Sequence, residues 1–237
     1  MRIDKLLSNQ GVGSRKEVKQ FLKKGIVTVN GMVQKDGKAQ VNPEVDDIRL
    51  GNEKICYKRF VYFLLHKPQG YVSATEDLRD PTVIDLLREK DKIYDVHPVG
   101  RLDKNTEGLL LLTNDGELTH QLTSPKYKVP KTYYAHIQGQ VAEKHIEMFK
   151  NGVVLEDGYE TLPAMLTILQ SDACSEIELI ITEGKFHQVK RMFEAIGMKV
   201  TYLKRLSMGP LTLEEGLKLG EYRELTEIEV SQLKKSR

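Results

Sequence analysis

Between positions 100 and 119 the chain reads GRLDKNTEGLLLLTNDGELT. The four leucines, Leu109 to Leu112, belong in a core, yet Arg101, Asp103, Lys104, Asn105, Thr106 and Glu107 stand directly in front of them. Polar groups at the mouth of a buried strand must satisfy one another or serve a ligand. Asp103 is the residue of this group best suited to chemistry. A carboxylate there can act as nucleophile or general base where neighbours hold it ionised and oriented, a task open to Arg101 and Lys104. Asp103 can equally cap a turn or pair with Arg101, and the loop alone leaves both readings open. Asp103 and Glu107 also have the spacing to share a helix face as a glycosidase-type carboxylate pair, but nothing else in the chain speaks for sugar binding.

Other chemistries find little support. The histidines, at 66, 97, 120, 136, 145 and 187, have no HExxH or comparable ligand spacing, and Cys56 and Cys174 lie far apart with no CxxC. A zinc site is therefore not expected. The phosphate-cradling GxxxxGK[ST], the dinucleotide GxGxxG and the nucleophile elbow GxSxG are all absent. An enzyme made from this chain is expected to work with ordinary side chains, without metal or cofactor.

The elements around this loop predict an α+β body. A strand over 60–65 ends in the loop His66-Lys67-Pro68-Gln69-Gly70, and strand-like runs recur at 109–113, 132–138, 153–155, 164–169, 176–182 and 199–203. Helix-like runs fall near 82–88, 117–123, 142–150 and 188–196. Short turns such as Asn114-Asp115-Gly116 link neighbouring strands, which favours a mixed, mainly antiparallel sheet flanked by helices. With 237 residues, 40% hydrophobic and 30% charged, the chain has room for a small and a medium domain. No apolar run approaches the ~20 residues of a membrane span, and the N-terminus lacks the pattern of a secretory signal. Both cysteines are expected as reduced, packed thiols of a cytoplasmic protein.

The first 58 residues differ from the rest. They hold 12 Lys+Arg against 7 Asp+Glu, a net of +5, whereas residues 59–237 hold 24 against 27. Ile3, Leu6 and Leu7 give a short helix one apolar stripe. Ser14 and Glu17 form a capping-box pattern that starts a second helix, whose stripe is Val18, Phe21 and Leu22 and which Gly25 stops. Asn30-Gly31 between alternating apolar residues predicts a hairpin. The segment 42–59 has weak periodicity and is expected to finish this small domain. A basic helical face on a compact module points to a polyanion.

The stretch RIDKLLSNQGVGSRKEVKQFLKKGIVTVNG resembles the S4 domain, an RNA-binding fold, in the order of its first helix, second-helix start and hairpin. VGRLDKNTEGLLLLTNDG in turn resembles the signature of the pseudouridine synthases, in the branch built around ribosomal small-subunit pseudouridine synthase A. His66-Lys67-Pro68-Gln69-Gly70, Lys131-Thr132-Tyr133 and EGKFHQVKRM at 183–192 match further motifs of that family. The resemblance spans almost the whole chain and implies an S4-like RNA-binding domain over 1–58 and a catalytic domain over 59–237.

The resemblance also implies roles. Asp103 would be the essential carboxylate of uridine-to-pseudouridine isomerisation, a reaction without redox or phosphate chemistry. Tyr133 would pack on the target base, with Tyr134 facing the other way as its natural control. Lys190 would be the cation paired with Asp103, where many relatives carry arginine; a lysine is a point charge rather than a bidentate fork. Arg2, Lys5, Arg15, Lys16 and Lys19 in the head, with Arg101 and Arg191 in the body, would contact RNA. His187 receives no role from the motif. The implied substrate is ribosomal RNA, in first place the 16S RNA of the small subunit, handled by a monomer. A large-subunit target, or an RNA-binding assembly factor without catalysis, are the alternatives.

Overall fold

Helix α1 (Ile3–Asn9) buries Ile3, Leu6 and Leu7 completely, as its one apolar stripe requires. The structure, a computed structural model, describes residues 1–55 and 57–235. Helix α2 (Arg15–Lys23) begins at a reciprocal capping box: Glu17 N donates to Ser14 Oγ at 3.3 Å, and Ser14 N donates to Glu17 Oε2 at 2.8 Å. Gly25, at φ +72°, ends it. Asn30 and Gly31 take left-handed φ values of 53° and 79°, the turn that joins β1 (Val27–Val29) to β2 (Met32–Val33). Two further strands, β3 (Ile48–Leu50) and β4 (Glu53–Lys54), complete a sheet of order β2-β1-β3-β4. They lie in the segment whose weak periodicity hid them. Val18, Leu22, Val27, Val41 and Ile48 join the α1 stripe in one core, and each such side chain contributes about 1.5–3 kcal/mol on burial.

Two compact units divide the chain. One is Met1–Val61 with Arg88–Asp95, which carries the short helix α3 (Glu89–Lys92); the other is Tyr62–Leu87 and Val96 onward. The second unit is a mixed sheet with helices. Its strands are β5 (Tyr62–Lys67), β6 (His97–Pro98), β7 (Glu107–Thr113), β8 (Lys131–Gln138), β9 (Met165–Gln170), β10 (Cys174–Ile181), β11 (Lys199–Met208), β12 (Leu211–Thr212) and β13 (Tyr222–Glu224). Its helices are α4 (Gly116–Thr123), α5 (Glu143–Asn151), α6 (Gln188–Glu194) and α7 (Glu227–Lys235). The order is β13-β5-β7-β11-β8-β10-β9, with β12 on β11 and β6 on β7. Among the named strands β7 and β11 alone run parallel; every other pairing is antiparallel.

The unbroken leucine run now has its reason. Strand β7 is central, between β5 and β11, and all four leucines are fully buried, so both faces of the strand must be apolar. Leu109 and Leu111 join Tyr62, Leu64, Val99 and Leu118 in one cluster.

Three sequence expectations need correction. The run 82–88 is a chain of turns, and helix is confined to Glu89–Lys92. Asp85 accepts from Thr82 N at 2.7 Å and from the Thr82 hydroxyl at 3.2 Å, which locks a local turn that competes with helix. The run 153–155 buries Val153 and Leu155 as a strand would, yet its only pairing is a single bridge from Val154 to Glu160 around a tight turn. Cys174 is exposed at the start of β10 instead of packed; Cys56 lies outside the described residues. No helix among the described residues is long and apolar enough to cross a membrane.

Candidate active site

The segment 101–106 leads into β7, and the stretch after β5 pins it from below. Lys67, the last residue of β5, is fully buried. Its ammonium donates to the carbonyls of Pro68 (3.0 Å), Asp103 (3.1 Å) and Thr106 (2.9 Å), with that of Lys104 at 3.5 Å. Gly70 N donates to Lys104 O at 2.8 Å. The Ser73 hydroxyl donates to Leu102 O at 2.9 Å and accepts from Leu102 N at 3.0 Å. Thr106 N closes the turn on Asp103 O at 3.0 Å. Burial lowers the Lys67 ammonium to about 8, with the Asp103 and Glu107 carboxylates opposing the shift.

Beyond the loop, β7 meets β11 at a close approach. A Cβ on Gly108 would lie 2.2 Å from the backbone oxygen of Arg205, its register partner, and Gly108 has φ +112°. Glycine is required here by both space and backbone conformation. Arg205 itself is buried, its Nε donating to Leu109 O at 2.8 Å.

Helix α6 supplies the opposing wall. Its apolar stripe of Val189, Met192 and Phe193 is buried, which turns Lys190 towards the loop. Lys190 Nζ lies 2.7 Å from Asp103 Oδ2 and 2.7 Å from Asn105 Oδ1. A cation in the first turn of a helix opposes the helix dipole; the Asp103 carboxylate offsets that here. His187, the N-cap of α6 at φ 50°, brings its Nε2 to 3.5 Å from Asp103 Oδ1. Behind the helix start, the buried Glu183 accepts from Gln188 Nε2 (2.7 Å), Leu162 N (2.9 Å) and the Tyr159 hydroxyl (2.6 Å). Gln188 Oε1 in turn accepts from Lys185 N at 2.8 Å, so the turn before α6 is tied to one buried carboxylate.

An open cleft lies between loop and helix, lined by Asp103, Thr106, Tyr133, His187, Arg101 and Lys185 among others. Tyr133 is on β8 between Leu179 of β10 and Arg205 of β11. Its ring is buried and its hydroxyl has no hydrogen-bond partner among the described residues. Tyr134, on the opposite face, is committed: its hydroxyl donates to Glu176 Oε2 at 2.5 Å, and that bond pushes it up to about 12.

The residues singled out from the sequence thus divide. Asp103, Tyr133 and Arg101 line one cleft and Lys190 reaches Asp103 there, while Arg101 is exposed and has no ion-pair partner among the described residues. Arg191 turns to Asp157, 2.5 Å away, and holds that carboxyl below its ordinary range. In the head, Arg2 pairs with Asp4 at 2.6 Å, whereas Lys5, Arg15, Lys16 and Lys19 are exposed and carry no carboxylate partner among the described residues. The glycosidase-type pair does not form, because Glu107 accepts from the Tyr202 hydroxyl at 2.7 Å as the first residue of β7. The motifs held Lys67, Asn105, Glu183 and Gln188 without giving them a role, and Ser73 was not singled out from the sequence. Lys67 and Ser73 give no periodic signal, and Asn105 meets a residue 85 positions away. Among the described residues no group of three or more His, Cys, Asp or Glu is arranged to hold a metal.

Known proteins resemble this chain over most of its length. A family model described as RNA pseudouridylate synthase matches residues 61–195, and one described as S4 domain matches residues 1–47. The chain is 51% identical over 231 residues to the Uncharacterized RNA pseudouridine synthase YtzG of Bacillus subtilis, covering 97% of each. It is 43% identical over 234 residues to Ribosomal small subunit pseudouridine synthase A of Vibrio cholerae, covering 98% of this chain and 99% of the other. A solved pseudouridylate synthase matches with TM-score 0.69 and 36% identity over 98% of this chain and 99% of that one. The family models, the full-length relatives and the solved structure agree: the chain belongs to the RNA pseudouridine synthase family, with an S4 domain at its N-terminus.

Proposed function

We propose that this enzyme isomerises a uridine of ribosomal RNA, the 16S RNA of the small subunit, with Asp103 as the acting carboxylate. The observation that carries the chemistry is the Asp103 side chain held by Lys190 at 2.7 Å in a cleft that also contains the unpartnered hydroxyl of Tyr133. Isomerisation detaches uracil from its sugar, turns it and rejoins it through carbon. A stacked base hides the atoms involved, so the uridine must be flipped out to reach such a cleft. Whether the carboxylate attacks the sugar carbon, adds to the ring or removes a ribose proton, it must be fixed in place and charged. Lys190 and the Lys67-pinned backbone are suited to fixing it.

In this reading Tyr133 packs on the base, Lys190 and Asn105 orient the carboxylate, and Arg101 meets a phosphate at the rim. The free cations Lys5, Arg15, Lys16 and Lys19 would bind the RNA outside the cleft. The small-subunit assignment rests on full-length similarity to enzymes so named, at 43% identity in the Vibrio cholerae case.

The test is carbodiimide-blocked primer extension on ribosomal RNA from cells with and without this gene. One stop in 16S RNA should vanish on deletion, return with the intact gene and fail to return with Asp103→Asn. Loss of a stop in 23S RNA instead would move the target to the large subunit. An unchanged pattern in both RNAs would remove ribosomal RNA as substrate.

A further inference from the structure

Phe186 is the most exposed aromatic side chain among the described residues, at 76%; the next, Tyr127 and Phe60, stand at 41% and 36%. A single exposed apolar residue needs no special explanation. Three features set this one apart. Its ring stacks on His187, with centroids 3.8 Å apart and planes within 18°. His187 lines the cleft and touches Asp103, so Phe186 stands one ring away from the catalytic carboxylate. The turn that carries both rings is fixed by the buried Glu183–Gln188 clamp and by the left-handed backbone of His187. Phe186 is therefore presented as a rigid flat surface at the rim of the cleft.

The charges beside it limit what can lie there. Arg101 and Lys185 line the same cleft, and neither has a carboxylate partner among the described residues. Lys185 also sits over the Tyr159 ring at 4.8 Å. A flat apolar ring next to a cleft lined by two cations matches a nucleobase with its phosphates, since base–aromatic stacking needs only a π-face and the cations take the backbone.

We propose that Phe186, backed by His187, is a stacking platform for the base of a nucleotide next to the target uridine. The proposal rests on the RNA-modifying reading and adds a second aromatic contact to that of Tyr133. When the target leaves its stack, its neighbour loses a partner. Phe186 supplies a replacement, lowering the cost of opening the RNA. Stacking is tolerant of sequence, so the platform serves any base.

The experiment uses the full chain and a twelve-nucleotide oligouridylate with one central 2-aminopurine, whose fluorescence falls when its ring stacks. Wild-type protein should quench it on binding. Phe186→Ala should abolish the quench and weaken binding by roughly five- to a hundredfold, the usual range for one lost base–aromatic stack. Phe186→Leu should do the same, because it keeps apolar area but not a flat face, and Phe186→Tyr should restore both. The side chain is exposed, so thermal melting of all variants should match wild type. On ribosomal RNA, Phe186→Ala should raise KM more than it lowers kcat. Unchanged quench and affinity in Phe186→Ala would overturn the proposal, as would equal rescue by leucine and tyrosine. Failure of wild-type protein to release label from uridine-tritiated ribosomal RNA would instead strike the proposed function; the oligonucleotide result stands apart from it.

Discussion

Lys190 Nζ bridges Asp103 Oδ2 and Asn105 Oδ1, 2.7 Å from each, and so fastens the first turn of α6 to the loop before β7. The carboxylate cannot turn without breaking this contact. Asp103→Asn, nearly isosteric but without a charge, should end release of tritium from uridine C5 and leave RNA affinity and melting unchanged. Lys190→Gln should cost about 10²-fold in kcat, the scale of misplacing a reacting group. Lys190→Arg should recover most of it, because the guanidinium can reach both oxygens of the carboxylate. Label release by Asp103→Asn at more than a trace of the wild-type rate would remove Asp103 from its role.

Lys67 links pH to the shape of this loop. Its buried ammonium titrates at about 8, whereas in the unfolded chain it keeps its proton to about 10.4. Between those values the unfolded state binds more protons, so the contribution of this group to stability rises with pH. Activity should run the opposite way. The neutral amine has one donor fewer and turns a lone pair towards carbonyl oxygens, so kcat should fall through a midpoint near 8. Lys67→Met should abolish both trends and lower kcat at every pH, since each carbonyl left unsatisfied costs about 1–3 kcal/mol. Paired melting and rate profiles of the two proteins decide the matter. The same alkaline fall in Lys67→Met would assign it to another group.

What the sequence made legible was local or chemical. The capping box at Ser14 and Glu17 and the left-handed pair Asn30-Gly31 specify their backbones within a few residues, and both formed as expected. The leucine run read as a strand belonging in a core, and the family motifs brought Asp103, Tyr133 and Lys190 forward. Contacts between distant segments were not legible. Nothing periodic relates Lys67 to the carbonyls of 103–106, Ser73 to Leu102, or Glu183 to the turn before α6. At 82–88 the apolar spacing suited a helix, but Thr82 and Asp85 satisfy each other in a turn. Arg191 resembled a free cation until the fold brought Asp157 to it.

Adjacent tyrosines give an internal control. The Tyr133 hydroxyl, at the cleft, has no partner among the described residues, while that of Tyr134 is bound to Glu176 on the other face. Tyr133→Phe should keep the ring packing and RNA affinity but lower kcat by roughly 10²-fold if the hydroxyl moves a proton in the reaction. Tyr134→Phe should leave kcat unchanged and lower stability by about 1 kcal/mol through the lost hydrogen bond. Single-turnover rates and melting curves separate the two effects. Equal rates for wild type and Tyr133→Phe would confine Tyr133 to packing on the base.

The head's charge predicts how binding responds to salt. Arg15, Lys16 and Lys19 are exposed on α2 and free of carboxylates, while the same helix buries Val18 and Leu22 on its core side. Replacing the three cations by alanine therefore removes charge without opening the core, and alanine favours helix. Each phosphate contact releases condensed counterions, worth about 0.9 in the slope of log affinity against log salt for a duplex. If all three touch phosphates, the slope should flatten by nearly 3 and affinity at low salt should fall steeply. At saturating RNA the variant should turn over at the wild-type rate, because Asp103, Tyr133 and Lys190 are untouched. Filter binding across a salt series, with single-turnover tritium release beside it, gives both quantities. An unchanged slope would mean that this face of α2 does not meet the RNA. A lower single-turnover rate with affinity intact would mean that it shapes the RNA for base flipping as well as holding it.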